Sequence, residues 1–325
     1  MERISSDCLK KLYILLLLLL SPIAIFLSLC IGPAHIDFFT VISTLFGGGS
    51  GVERTIILDI RLPRILTVYI AGFSLATAGT MAQAVFKNPL GDPYLLGISS
   101  GASLGAVVSF LICPSLTPVL AFIFAIGVTF FVYSLSKLAG GTPYTLILAG
   151  IAVGMFVNAI VLYLIMLLKE LHGIYFWLNG TFSTVAWTDF YTVLPLIVIS
   201  SLTIFIYKWL NMFLLSDAEA MSLGLNIKKA REIVIVLIAL LTATTVSVAG
   251  IIGFVGLVVP HISRLIVGAN HKYLLPSSML FGGIFLLIAD TIARLGSAEI
   301  PVGVITAMMG APLFAYLLVR SRVKG

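Results

Sequence analysis

Residues 233–263 have the sequence IVIVLIALLTATTVSVAGIIGFVGLVVPHIS and contain no lysine, arginine, aspartate or glutamate. A helix crosses a bilayer with about 20 mainly apolar residues, so this run is too long for one crossing. Three glycines, Gly250, Gly253 and Gly256, interrupt it. We therefore predict two helices, the second of which, at about 250–267, is short or re-entrant. Such a break is tolerated only where protein or a water-filled cavity covers the bare backbone.

The composition of the whole chain is that of a membrane protein. Of its 325 residues, 60% are hydrophobic and 10% are charged, against about 45–50% and about 25% in an ordinary soluble domain. The mean hydropathy is +1.17, which is far more apolar surface than one water-facing core can hide. A soluble globular protein is therefore excluded. The net charge of +6 indicates positive loops between membrane helices, and we predict no nucleic acid partner.

Apolar runs of spanning length occur along the whole chain. They lie at 12–36, 65–86, 93–136, 138–168, 190–207, 233–263, 273–289 and 300–319. The run at 93–136 is also too long for one crossing, and Pro114 and Pro118 divide it. Splitting both long runs predicts an all-α polytopic fold with ten membrane segments. The first run resembles a signal peptide, but nine more segments follow it, so we expect a retained membrane anchor.

The distribution of lysine and arginine indicates which side each loop faces. With the amino terminus inside, fourteen of the 19 basic residues fall in inner loops, and the outer ones are Arg54, Arg61, Arg64, Lys169 and Arg294. Cytoplasmic loops of membrane proteins carry the excess of positive residues. We therefore predict that both termini are cytoplasmic. The few outer arginines then need an explanation of their own.

The sequence has no recognisable motif for catalysis, nucleotide binding or metal binding. It contains no GxxxxGK[ST], so any ATP must be hydrolysed by another subunit. The three cysteines form no CxxC pair, and the four histidines have no HxxxH or HxxE spacing. The GxSxG match at Gly97–Gly101 leads into an apolar helix, where with Gly105 it forms a ridge of small residues suited to helix packing. We predict no catalytic residue, no metal site and no cofactor.

Residues 211–231 form the longest polar stretch between the predicted spans, and they lie on the inner side. Ser216 and Glu219 have the spacing of a capping box that begins a helix, and Gly224 is suited to end it. A short helix of this kind, parallel to the membrane, fits a docking surface for a cytoplasmic partner. An ordinary solvated loop helix is the alternative.

Eight stretches, taken together, resemble the FecCD family of ABC-importer permeases and occur in that family's order. They are Arg61-Leu62-Pro63-Arg64, Asn88-Pro89-Leu90-Gly91-Asp92-Pro93, Leu96–Ala102, Leu148–Ala152, Gly250–His261, Ala289–Arg294, Glu299–Gly303 and Gly310-Ala311-Pro312. The resemblance covers nearly the whole chain beyond the first span. It implies a type II importer permease, a single permease domain over residues 1–325 with ten membrane helices per subunit. It further implies a homodimer with two cytoplasmic ATPase subunits and an extracytoplasmic substrate-binding protein, in a prokaryotic cytoplasmic membrane.

The resemblance also implies three functional regions. The binding protein is expected to dock on Arg61, Arg64 and Arg294. The cytoplasmic gate is expected at Asn88, Pro89, Leu90, Thr142, Pro143 and Tyr144, although Tyr144 is larger than the small polar residues expected there. Coupling to the ATPase, within the 211–231 loop, is expected at Ser216, Asp217, Ala218, Glu219, Ala220, Leu223 and Gly224.

Two of these assignments have simpler alternatives. Arginines at helix ends often extend to lipid headgroups, and Asp290 with Arg294 has the i, i+4 spacing of a local ion pair. Asn158, the strongly polar residue of the fifth span, is a candidate for the substrate path, but a hydrogen bond between helices explains it equally well.

The sequence therefore favours an importer permease subunit that is not itself an enzyme. Members of the resembling family import ferric siderophores, haem or cobalamin, and some relatives import molybdate or tungstate. A ferric siderophore is the first expectation, although the binding protein rather than a weakly polar path selects the substrate. A secondary transporter working alone is the main alternative, and an intramembrane enzyme is a weaker one. Both lack the intramembrane ionisable or catalytic residues that they need.

Overall fold

The computed structural model describes residues 2–49, 51–167, 172–296 and 298–322, and within these ranges it is helical without any strand. Its α-helices are Glu2–Cys30 (α1), Phe38–Leu45 (α2), Gly51–Thr55 (α3), Leu62–Val85 (α4), Ile98–Ile112 (α5), Thr117–Leu138 (α6), Pro143–Leu167 (α7), His172–Leu178 (α8), Trp187–Val193 (α9), Pro195–Leu202 (α10), Tyr207–Phe213 (α11), Asp217–Ser222 (α12), Ile227–Ala249 (α13), Val255–Val267 (α14), His271–Ala293 (α15) and Val302–Arg322 (α16). A π-helical turn, Ile56–Arg61, joins α3 to α4, so the chain is continuously helical there.

Seven stretches of the described chain are long and apolar enough to cross a membrane. They are Asp7–Cys30, Gly51–Val85, Pro114–Leu138, Pro143–Leu167, Trp187–Phe213, Ile227–Ala249 and His271–Ala293. Three shorter apolar helices lie at the other predicted positions, Ile98–Ile112, Val255–Val267 and Val302–Tyr316. The all-α polytopic fold is confirmed, while the count of ten complete crossings stays a prediction.

The interruption of the apolar run at 250–254 is present as predicted. Helix α13 ends at Ala249, and α14 begins at Val255 and has only 13 residues. Other parts of the chain cover the exposed backbone between them: the Tyr94 hydroxyl donates to the Ile252 carbonyl at 3.0 Å, and Thr181 N donates to the Ala249 carbonyl at 2.8 Å. Gly250 has a φ of +69°, and a side chain there would collide with the carbonyl of Trp177. Protein thus supplies the hydrogen bonds that lipid cannot.

Helix α4 is the centre of the molecule, and small residues let its neighbours approach. Gly72 faces Gly282 of α15, and Gly79 faces Gly256 of α14, so closely that a Cβ at Gly72 or Gly79 would overlap the opposite backbone. Close approach through small residues is how membrane helices pack without a hydrophobic driving force. The predicted glycine ridge on α5 has the same role, because Gly101 and Gly105 contact the backbone of α6.

Several boundaries and short elements differ from the sequence prediction. The first helix spans Glu2–Cys30 rather than 12–36. It begins earlier because it accommodates Lys10, which pairs with Asp7 at 3.6 Å one turn away. It ends earlier, before Pro33. The short helices α2, α3 and α8 were not predicted, because segments of this length fall below the spanning-length criterion. The predicted division at Cys113–Pro118 is confirmed, since α5 ends at Ile112 and α6 begins at Thr117.

Candidate functional sites at the two ends of the bundle

Three of the four arginines that the sequence predicts to face outward form one buried cluster. Arg61, Arg64 and Arg294 are only 4%, 8% and 5% exposed. Arg64 binds two carboxylates, Asp290 at 2.7 Å and Glu299 at 2.6 Å, although these lie more than 200 positions further along the chain. The alternative that these arginines extend to lipid headgroups therefore does not fit, because their side chains are held inside the protein.

The remaining contacts of the cluster tie it to the end of the first helix. Arg294 lies 3.1 Å from Asp290, so the local ion pair expected from the sequence is present, and it also donates to the Ser28 hydroxyl at 2.7 Å. Arg61 donates to the Leu29 carbonyl at 2.7 Å and contacts no carboxylate among the residues that the structure describes. Together these contacts fasten α1, α4 and α15 to one another at the outer end.

All three arginines line a single cavity of about 440 Å³. Glu299 also lines it, with its carboxylate one-third exposed, and so does Ser183. The cluster contains three guanidinium groups but only two carboxylates, so it keeps one positive charge in excess. A guanidinium binds a carboxylate through two hydrogen bonds with a fixed geometry. The cavity can therefore accept an acidic side chain from outside.

At the opposite end, α12 is a helix with a complete capping box, as predicted. Ser216 Oγ accepts a hydrogen bond from Glu219 N at 3.2 Å, and the Glu219 carboxylate accepts one from Ser216 N at 2.9 Å. The Ser216 hydroxyl also donates to the Glu219 carboxylate at 2.7 Å, and this bond, with the one from Ser216 N, lowers the pKa of Glu219 below its usual value. Gly224, with a φ of +87°, ends the helix as expected. The geometry of α12 is thus set by its own sequence.

The surface of the α12 segment is unusually apolar for a polar loop. Ala220 is fully buried and anchors the helix to the bundle, whereas Met221 and Leu223 are 56% and 60% exposed. Ala218 is also exposed. A compact exposed apolar surface with charged neighbours is typical of an interaction site.

The two predicted gate segments are short turns on the same side as α12. Asn88 Oδ1 accepts a hydrogen bond from Leu90 N at 2.9 Å, which shapes the turn that contains Pro89. Thr142 caps α7 by accepting from Thr145 N at 3.1 Å, so that Pro143 begins the helix. Tyr144 is 70% exposed. No hydrogen bond joins the two segments directly within the described residues.

Asn158 lies in an exposed stripe along α7. The stripe consists of Tyr144, Leu148, Ile151, Met155, Asn158, Leu162 and Met166, all exposed in the single chain. Spacings of three and four place these residues on one helix face. In the part of the chain that the structure describes, Asn158 makes no hydrogen bond, so the alternative of a bond to another helix of the same chain is not supported. It borders a cavity of about 200 Å³ together with Ser99 and Ser100.

Reasoning from sequence missed four functional contacts. It did not link Arg64 to Asp290 or Glu299, and it did not single out Lys87 or Arg231, which contact the α12 segment. The available signal for these contacts was the scarcity of charged residues in the chain, since each charged side chain of a membrane protein has to be paired or exposed.

Known proteins similar to this chain agree with this architecture. The model of the FecCD transport family matches residues 17–320. The cobalamin import system permease protein BtuC of Halobacterium salinarum is 40% identical over 278 residues, which cover 82% of this chain and 75% of that protein. The Fe(3+)-citrate import system permease protein YfmD of Bacillus subtilis is 36% identical over 303 residues, 91% of each chain.

A solved structure described as an inward-facing metal-chelate type ABC transporter has a TM-score of 0.85 and 33% identity, covering 94% of this chain and 98% of that one. The helical architecture is thus that of a type II ABC-importer permease. With the family model matching almost its full length, the chain belongs to the FecCD transport family.

Proposed function

We propose that this chain is the permease subunit of a binding-protein-dependent ABC importer that moves a metal chelate into the cytoplasm. The observation that carries the proposal is α12, a capped helix with exposed Met221 and Leu223 in a chain without a nucleotide-binding motif. Such a helix suits contact with a separate ATPase, which would supply the energy for transport. The names of similar permeases, for cobalamin and for Fe(3+)-citrate, favour a metal chelate, and a ferric siderophore is our first candidate.

The outer cluster supports a second partner in the same assembly. Its cavity holds Arg61, Arg64 and Arg294 with an excess of positive charge, which suits acidic side chains on a substrate-binding protein. In this arrangement the binding protein docks at one end of the bundle and the ATPase at the other. The fourteen basic residues of the inner loops support the same orientation, with both termini in the cytoplasm of a prokaryotic cell.

The exposed stripe on α7 supports a homodimer. The most apolar part of α7 is 33% buried, compared with 83% for the span that contains α4 and 22% for Trp187–Phe213, so low burial is shared with other spans and Asn158 sets α7 apart. A polar Asn158 in the middle of an apolar stripe is costly in lipid but not beside a second subunit or a water-filled path. We infer that two copies of α7 face each other and enclose the path between them.

Reconstitution in liposomes tests the proposed function. The permease, a cognate ATPase and a cognate binding protein are combined, and uptake of a ferric siderophore, cobalamin and molybdate is compared. We expect uptake only when all three proteins and internal ATP are present. Uptake by the permease alone in response to an ion gradient would contradict the proposal and favour the secondary transporter.

A further inference from the structure

The carboxylate of Asp217, at the beginning of α12, binds two cations from distant parts of the chain. Lys87 Nζ lies 2.8 Å from Oδ1, and Arg231 Nη2 lies 3.3 Å from Oδ2, so each oxygen has its own partner. Lys87 is separated from Asp217 by 130 positions. Only the tertiary fold brings these three charges together.

Each cation also connects the α12 segment with a residue next to a gate segment. Lys87 directly precedes Asn88, and it donates to the Leu215 carbonyl at 2.7 Å as well as to Asp217. Arg231 donates through Nη1 to the Gly141 carbonyl at 2.7 Å, and Gly141 directly precedes Thr142. One carboxylate therefore connects α12 to both gate segments, which make no direct hydrogen bond with each other.

The exposure of Asp217 and Lys87 suits an ion pair that can break and form again rather than a permanent link. The side chain of Asp217 is 44% exposed and that of Lys87 is 29% exposed. Exposed ion pairs contribute little to stability and re-form easily. Arg231 differs because its side chain is only 10% exposed, so its planar fork holds the Gly141 carbonyl and the Asp217 carboxylate in a fixed relation.

The charge needed for this connection is present at neutral pH. Partial burial opposes ionisation of Asp217, but its hydrogen bond from Lys87 and the nearby Arg231 lower its pKa below the usual value. The carboxylate is therefore ionised at pH 7.

We propose that Asp217 is a positioning residue that transmits displacement of α12 to both gate segments. The proposal rests on the proposed function, in which α12 contacts the ATPase and residues 88–90 and 142–144 close the path. When α12 moves, the carboxylate shifts Lys87 and Arg231 together, so the two gate segments change position in one step. Without the Asp217 carboxylate the ATPase still binds, but less of the displacement of α12 is transmitted to the two gate segments.

The test compares Asp217→Asn with Glu232→Gln in the complex with the ATPase, in nanodiscs and in liposomes. Glu232 is an exposed acid that lines a cavity of about 320 Å³ together with Asp217 and Arg231, and it has no ion pair among the described contacts, so its substitution is the matched control. The measurements are co-purification of the ATPase, substrate transported per ATP hydrolysed, and the ATP-dependent change in cross-linking between cysteines at position 144.

For Asp217→Asn we expect an intact complex in which transport per ATP falls about five- to tenfold, at the lower end of the range typical of coupling between sites. The ATP-dependent change in cross-linking should be lost as well. Asp217→Glu, which keeps the carboxylate, should restore part of both, and Lys87→Gln should give a partial loss. Glu232→Gln should behave as wild type.

Wild-type transport per ATP in Asp217→Asn would overturn the proposal, and so would loss of ATPase binding, which would make Asp217 a docking residue. Failure of the proposed function gives a different result, because the wild-type protein itself would then show no ATP-dependent transport.

Discussion

Asp290 is the central charge of the outer cluster. It is fully buried, and it binds Arg64 at 2.7 Å and Arg294 at 3.1 Å. A local pair with Arg294 alone would contribute only about 0.3–0.5 kcal/mol if it were exposed. Burial changes this, because without the carboxylate Arg294 becomes an uncompensated buried charge and Arg64 keeps only the partly exposed Glu299.

Replacing Asp290 by alanine should therefore destabilise the protein strongly. We expect a loss of about 3–5 kcal/mol, as is usual when a buried ion pair loses one partner. Glu299→Ala is the matched control, because it removes a carboxylate from the same arginine but one whose side chain is 33% exposed. Its cost should stay below about 1 kcal/mol. Thermal unfolding in detergent measures the loss of stability in both variants. Equal losses would contradict the predicted difference between the buried and the partly exposed carboxylate.

The docking role of the arginines is tested by charge reversal. Arg61→Glu combined with Arg64→Glu should weaken binding-protein docking and transport, and a glutamate-to-arginine change on the binding protein should partly restore both. Among the described residues Arg61 contacts no carboxylate, so Arg61→Glu leaves the ion pairs of Arg64 intact, and thermal unfolding of the same variant measures the cost of losing its hydrogen bonds to the Leu29 and Ala34 carbonyls. Arg54→Glu, on an exposed outer arginine, is the control.

Salt provides an independent measurement of the same interaction. Docking in nanodiscs should weaken as salt rises from about 50 to 500 mM, because ions screen the attraction between the positively charged cavity and acidic side chains approaching on the binding protein. If the double variant keeps wild-type affinity at low salt, the arginines serve only to hold the helices together.

Helix α12 has an exposed surface on which a partner could dock. Ala218 is exposed, so Ala218→Arg adds bulk without disturbing the fold. Gly224 has a φ of +87°, so Gly224→Trp adds both bulk and backbone strain. We expect either change to abolish substrate-stimulated ATP hydrolysis in the reconstituted complex while membrane insertion remains normal.

The control for this prediction is Ala269→Arg, on the exposed turn between α14 and α15. It adds the same side chain to an exposed position outside the α12 segment and should leave hydrolysis unchanged. If the α12 variants hydrolyse ATP and transport normally, α12 is not the coupling element.

For the molecule as a whole, the burial of the spans separates a central core from surfaces that need a partner or lipid. The most apolar part of the span that contains α4 is 83% buried. The corresponding parts of α1 and of Trp187–Phe213 are each 22% buried. The α7 stripe is the exposed surface that combines large apolar side chains with a polar Asn158. This is the surface that we assign to the second subunit and the path.

A cysteine at position 144 tests the dimer and the gate together. In a background without the native cysteines, Tyr144→Cys should cross-link to its twin in the nucleotide-free, inward-closed state and less in the opposite state. Phe205→Cys, 79% exposed on a different span, should not cross-link in either state. Equal cross-linking of Tyr144→Cys in every nucleotide state would remove this position from the gate.

The sequence by itself determined the membrane class, the positions of the apolar helices, the break at 250–254 and the capping box of α12. These features depend on local composition and on spacings of a few residues, which the chain expresses without any long-range contact. The tertiary structure alone decided that Arg64 meets Asp290 and Glu299, and that Asp217 joins Lys87 to Arg231. These contacts link positions from 14 to 235 apart. No local pattern specifies them, because they follow from how the helices pack around α4.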